Sequence, residues 1–311
     1  MDFNFKRDIN KTIEMIEKSK ANEQITDPYY SKAYAYATIN HKELLSKLKG
    51  KFTSCLVLSG STAPLLNVVN MGAKKVTSFD ISLPAFCFVY FQIASVLALD
   101  YKEYLEFMYD HSEKKSFNFN TYQKIREYLP SIKPMDVKKY FDVLYDYIGE
   151  SDFRAHFFDN MDDIRSLFVP FEIFVSFEEK KNNYLTEEEF NKLKNKLKTV
   201  DVTNLWMDIR EIPEFLKGNE YDKILLSIAN HFIYPDYQLE NVEDYISLLE
   251  KFKSLLKMDG IMQGALTYKL HNKALSAYEC YEAARLRECG YELIETEKIN
   301  MIDMAYVYKK H

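Results

Sequence analysis

Glycine and proline are scarce, eight of each in 311 residues. That excludes collagen-like and low-complexity disordered sequence and leaves no long flexible linker. Cysteine is scarcer: the four thiols, Cys55, Cys87, Cys280 and Cys289, form neither a CxxC pair nor a zinc-site spacing, so no metal is expected. Positive charge is not in excess. A net charge of −6 gives no overall electrostatic reason to bind nucleic acid, and partners should be small, neutral or locally recognised. Long apolar runs are missing as well. The richest stretch, SLPAFCFVYFQIASVLAL from Ser82, is interrupted by Gln92 and Ser95 and falls short of the roughly 18 apolar residues of a membrane span. Burial of this helix between layers is favoured over insertion, and peripheral membrane contact through Pro84 to Leu99 is the competing use. The N-terminal MDFNFKRDINKTIEMIEKSK has no apolar signal-peptide core. The expectation is a reducing, cytoplasmic protein without a transmembrane segment.

What is present is a large core. With 47% hydrophobic and 28% charged residues, the chain suffices for one large domain or two modest ones. Its organising stretch is KFTSCLVLSGSTAPLLNVVNMGAKKVTSFDI, Lys51 to Ile81. A β run (Cys55 to Leu58) meets a small-residue turn (Ser59, Gly60, Ser61). An apolar helical stretch with Leu65, Leu66, Val68 and Val69 follows, stops at Gly72 and leads to a second β run ending on Asp80. Strand, tight turn, helix, strand and acid is the order of a nucleotide-binding βαβ unit. Small residues let the backbone approach the ligand and the distal acid bonds ribose hydroxyls.

Around that unit, residues 1–50 read as a helical cap containing the tyrosine-rich DPYYSKAYAYATINH, an aromatic cover for the sheet or a lid over a ligand. Residues 101–200 read as a helical insertion. In it, Val137, Tyr140, Phe141, Leu144, Tyr145 and Ile148 make one buried stripe, and Thr186 with Glu189 makes a capping box. The αβ pattern of 51–100 resumes over 201–311. Strands are expected to end near Met207, to run from Lys223 to Ala229, and to cover GIMQGALTY, with an antiparallel hairpin closing the chain. Open αβ sheets bind ligands outside the carboxyl ends of their strands, so Ser59, Asp80, Asp208 and Asn230 should meet in one crevice.

The stretches YSKAYAYATIN, VLSGSTAPLLNVVNMGAKKVTSFDIS, QIASVLALDYKEYLEFM and KILLSIANHF carry a resemblance. The chain resembles the class I S-adenosylmethionine-dependent methyltransferase-fold family, an α/β Rossmann-like fold with a mostly parallel seven-stranded sheet and a terminal antiparallel hairpin. More narrowly, it is similar to bacterial relatives of the enzymes that move the 3-amino-3-carboxypropyl group of S-adenosylmethionine to diacylglycerol. The resemblance implies S-adenosylmethionine as cofactor, with Ser59, Gly60 and Ser61 against its methionine moiety. It implies Asp80 with Ile81 at the ribose, Asp208 with Ile209 at the adenine, and Tyr34, Tyr36, Thr38, Ser227 and Asn230 lining the site. Where such relatives continue the turn as Gly-Asp, this chain has Thr62 and Ala63, losing a flexible position and a carboxylate.

The implied activity is transfer of a methyl or aminocarboxypropyl group to a small-molecule or lipid acceptor; a non-catalytic binding protein on the same fold is the alternative. His231 is the candidate general base, because its ordinary pKa lies near neutrality, and Tyr36 a weaker catalytic candidate. NHFIY lacks the Asn-Pro-Pro-Tyr pattern of DNA amino-methyltransferases, which lowers a nucleic-acid acceptor.

Overall fold

The computed structural model describes residues 3–37, 39–110, 116–131, 135–158, 170–227, 229, 233, 239–266, 277–295 and 304–311. Strands β1 (Ser54–Leu58), β2 (Lys75–Asp80), β3 (Asp201–Trp206), β4 (Tyr221–Leu225), β5 (Leu256–Leu266), β6 (Glu292–Glu295) and β7 (Met304–Lys309) form one sheet. Their order is β3-β2-β1-β4-β5-β7-β6. The first five run parallel, and β7 lies antiparallel to both β5 and β6. This is the Rossmann-like arrangement of class I methyltransferases expected from the sequence. The chain leaves β1 toward β2 and β3, then crosses back to β4 on the other side. The switch point therefore lies between the carboxyl ends of β1 and β4.

Four helices position what lies there: α1 (Phe5–Lys20), α2 (His41–Lys47), α3 (Ala63–Asn70) and α4 (Leu83–Ala98). Every residue of α3 is buried, so the βαβ unit is held in the middle of the molecule. Helix α4 starts as its sequence suggests, with Ser82 capping the Ala85 N–H and a proline in the first turn. Its two polar interruptions are satisfied internally: Gln92 accepts from the Tyr104 hydroxyl at 2.9 Å and the Ser95 hydroxyl donates to the Phe91 carbonyl at 2.7 Å. Twelve of the sixteen residues of α4 are buried and Tyr90, Ile93, Leu97 and Ala98 are partly exposed, so most of the stretch from Pro84 to Leu99 packs inside the protein. Among the described residues no helix is long and apolar enough to cross a membrane.

The stripe from Val137 to Ile148 forms one helix, and all six of its apolar positions are buried. One hydrophobic cluster runs from α1 through the sheet and α4 into these helices. Thr186 caps the helix Glu187–Leu197 through the Glu189 N–H, but the Glu189 carboxylate bonds Asn70 and Lys192 instead of returning to the cap. The box is half formed because Asn70 on α3 offers a tertiary partner. Strand β4 is also shorter than its apolar run, ending at Leu225, since Ser227 turns into the left-handed region at φ +49°.

Candidate functional site

A cleft of about 830 Å³ opens at the switch point. Its floor comprises Ser59, Gly60 and Ser61 after β1, Asp80, Ile81 and Ser82 after β2, Asp208, Ile209 and Arg210 after β3, and Ser227 after β4. These residues converge because parallel strands deliver their carboxyl ends to one edge of the sheet.

The first turn and the acid of β2 are joined directly. The Gly60 N–H donates to Asp80 Oδ2 at 2.9 Å and the Ser82 N–H donates to Oδ1 at 2.9 Å. Burial pushes the Asp80 carboxyl up to about 6, against the pull of the backbone donors of Ser82, Gly60 and Ile81. Gly60 takes φ +50°, a left-handed geometry that costs glycine little. Thr62 takes φ +67° and ψ −15° at the N-cap of α3, where a β-branched residue is strained. It is fully buried, and its hydroxyl, like that of Ser59, has no hydrogen-bond partner. The departure from Gly-Asp thus falls where the backbone itself asks for glycine. Two of the five left-handed non-glycine residues among those described, Thr62 and Ser227, flank the switch point.

Asp208, buried two residues beyond β3, is held by Arg210. Its Oδ1 accepts from the Arg210 N–H at 2.8 Å and from Nε at 2.9 Å, and Oδ2 accepts from Nη2. Burial alone would raise this carboxyl, but the Arg210 hydrogen bonds and charge outweigh it and hold it below its ordinary value.

The opposite wall belongs to the N-terminal segment: Ile25 to Pro28, Ser31, Lys32, Tyr34 and His41. Its placement is set by α1. The fully buried Asp8 carboxylate accepts from the Asn4 N–H at 2.8 Å, Arg7 Nε at 2.7 Å and the Tyr30 hydroxyl at 2.8 Å, pinning the turn Pro28–Tyr30. The Ser82 hydroxyl then donates to the Ser31 carbonyl at 2.7 Å, tying this wall to the floor. Trp206 adds Nε1 donation to the Ile81 carbonyl at 2.7 Å, with Phe3 packed 5.0 Å from its ring.

Of the residues singled out in the sequence, Tyr34, Ser59, Gly60, Ser61, Asp80, Ile81, Asp208, Ile209 and Ser227 line this cleft. Tyr36 does not. Its ring is buried against Tyr109 and Phe174, and its hydroxyl donates to the Met108 carbonyl at 3.3 Å and accepts from Arg154. Tyr36 thus packs away from this cleft, against Tyr109 and Phe174. Thr38, Asn230 and His231 lie outside the described residues.

Sequence reasoning missed His41. It opens α2 on the cleft wall at 3% exposure. Burial, and then the charge of Lys181, push its pKa down to about 3, so it stays neutral. The available signal was its position at the end of the tyrosine-rich segment, before the helical repeat of Leu44 and Leu45. Sequence alone does not reveal that the buried Lys181–Glu178 pair, 2.8 Å apart, stands behind it.

Comparison with solved structures finds distant likenesses at low identity. The rRNA methyltransferase aviRa from Streptomyces viridochromogenes is 12% identical, with 92% of this chain and 90% of that chain covered and a TM-score of 0.40. The glycopeptide N-methyltransferase MtfA is 11% identical, with 88% and 95% covered and a TM-score of 0.39. Magnesium protoporphyrin IX methyltransferase from Synechocystis PCC 6803, with bound SAH, is 10% identical, with 100% and 89% covered and a TM-score of 0.34. No protein-family model and no curated protein matches this chain.

Proposed function

We propose that this protein is an S-adenosylmethionine-dependent transferase that moves a methyl or 3-amino-3-carboxypropyl group to a small-molecule or lipid acceptor. The observation that carries the reading is the Gly60–Asp80 junction on the floor of the switch-point cleft. A carboxylate has about four lone-pair sites. Asp80 gives two to Gly60 and Ser82 and keeps acceptor capacity for ribose hydroxyls. Asp208, just past the end of the neighbouring strand, lines the same cleft and is the proposed partner of the base attached to that ribose. The unpartnered hydroxyls of Ser59 and Thr62 offer hydrogen bonds to the amino-acid end. A donor set of this kind fits an adenosyl compound.

When bound, the cofactor supplies an already activated sulfonium carbon. The protein's share is to align the acceptor with the breaking carbon–sulfur bond and to exclude water. The wall from Ile25 to Tyr34 covers the cleft for the second task, and neutral His41 can orient an acceptor hydroxyl or amine. His231 remains the proposed base and the cytoplasm the proposed location.

Calorimetric titration with S-adenosylhomocysteine tests the reading. Binding that Asp80→Ala removes supports it, and no binding at millimolar ligand refutes it. Methylthioadenosine product would assign aminocarboxypropyl transfer, and adenosylhomocysteine methyl transfer. Thr62 and Ala63 favour a second reading, a non-catalytic binding protein, which product formation with any acceptor would end.

A further inference from the structure

Asp208 and Asp80 stand on neighbouring strands and line the same cleft, yet their surroundings differ in kind. Asp80 is held by main-chain donors alone. Asp208 carries a guanidinium from two residues downstream, and the Arg210 side chain is 66% exposed on the rim while Asp208 is buried beneath it. The pair is thus half buried, with its carboxylate on the cleft side and its cation toward solvent. The pair sits where β3 extends past β2: Asp80 is in register with Trp206, and the Met207 N–H donates to the Asp80 carbonyl at 2.9 Å.

We infer that Arg210 sets the base preference of the adenosyl subsite by fixing Asp208 as an acceptor with one lone pair left for an exocyclic amine. The inference rests on the adenosyl reading above. Of about four lone-pair sites on a carboxylate, Oδ1 spends two on the Arg210 N–H and Nε, and Oδ2 spends one on Nη2. The remaining site accepts one N–H, which a 6-amino purine provides. A 6-oxo purine would set oxygen against oxygen in a place where neither is readily hydrated, a mismatch that costs affinity.

The guanidinium also decides which form Asp208 takes. Its hydrogen bonds and charge outweigh the burial that would otherwise raise the carboxyl. Without Arg210 only the burial remains, which shifts the carboxyl toward its protonated form, and a protonated acid can donate to a 6-oxo group. Arg210 is therefore a positioning residue, and the quantity it controls is the ratio of affinities for two bases.

Calorimetry on the full chain with S-adenosylhomocysteine and S-inosylhomocysteine measures that ratio. Wild type should prefer the adenosyl compound on the order of 100-fold, the scale of one satisfied against one opposed buried hydrogen bond. In Arg210→Ala the preference should fall below about 10-fold, chiefly because the inosyl compound binds better relative to the adenosyl one. Arg210→Lys keeps the charge but loses the fork, and should lie between them; it carries the test if the alanine variant does not fold, with thermal melting as the check. An unchanged preference in a folded variant, or equal loss of both ligands, overturns the inference while leaving the adenosyl reading intact. Wild type binding both equally does the same. Wild type binding neither overturns the adenosyl reading and this inference with it.

Discussion

Replacing His41 by glutamine should change how stability depends on pH more than stability itself. The imidazole is pushed from its ordinary 6.5 to about 3 by burial first and the Lys181 charge second. Between those values the unfolded chain takes up a proton that the folded chain refuses, so the unfolded state binds more protons and stability rises with pH. The contribution is complete above about pH 7 and is lost on acidification through the unfolded value. Working the linkage with folded and unfolded values of 3 and 6.5 gives a loss of about 2 kcal/mol between pH 7 and pH 5.

Asp80 acts in the opposite sense. Its carboxyl is raised from 3.8 to about 6, so the folded state binds the extra proton and gains stability as pH falls across that range. The two contributions nearly cancel in the wild-type curve between about pH 4 and 6, which hides both. Subtraction separates them, because Asp80 is common to both proteins. Urea unfolding followed through the single tryptophan, Trp206, supplies the free energies. The wild-type value minus the His41→Gln value should fall by about 2 kcal/mol from pH 7 to pH 5. A difference constant within about 0.5 kcal/mol over that interval would refute a buried neutral imidazole.

Three further outcomes follow from the site and its supports. Because Asp80 must be ionised to accept two ribose hydroxyls, S-adenosylhomocysteine should bind about 10-fold more weakly at pH 5 than above pH 7, and calorimetry showing no such loss would detach Asp80 from the ligand. Thr62→Gly should cost less than about 1 kcal/mol or stabilise the protein, since relief of the left-handed backbone and of an unpartnered hydroxyl offsets the lost burial; a larger drop by denaturant unfolding would mean the strain is absent. Lys181→Met removes the ion-pair partner of the buried Glu178 carboxylate and should cost about 3 kcal/mol, while the double variant with Glu178→Gln should recover most of it; failure of the second change to rescue would place the damage elsewhere.

The βαβ unit was legible from Cys55 to Asp80 because its information is local. β-formers buried on both faces, a turn of small residues, an apolar helix and a stop each depend on neighbours within a few positions. The stripe from Val137 to Ile148 was readable for the same reason, since one face of a helix repeats every 3.6 residues. The parallel order of the strands then sent Ser59, Asp80, Asp208 and Ser227 to one edge, as an alternating αβ pattern demands.

What the sequence by itself determined, then, is the sheet, its direction and the acids at its rim. Only the tertiary structure decided which polar groups those acids would meet. Tyr34 faces the cleft and Tyr36 the core because α1, through Asp8 and Tyr30, fixes the turn that precedes them. His41 is neutral because the fold buries it and, second, because it brings close a lysine 140 positions away in the chain. Glu189 abandons its cap for Asn70 across 119 residues, and Thr62 sits in a glycine conformation that no local propensity announces. Hydrogen bonds and charges between distant segments carry no periodic signal, so they appear only once the backbone has brought them together.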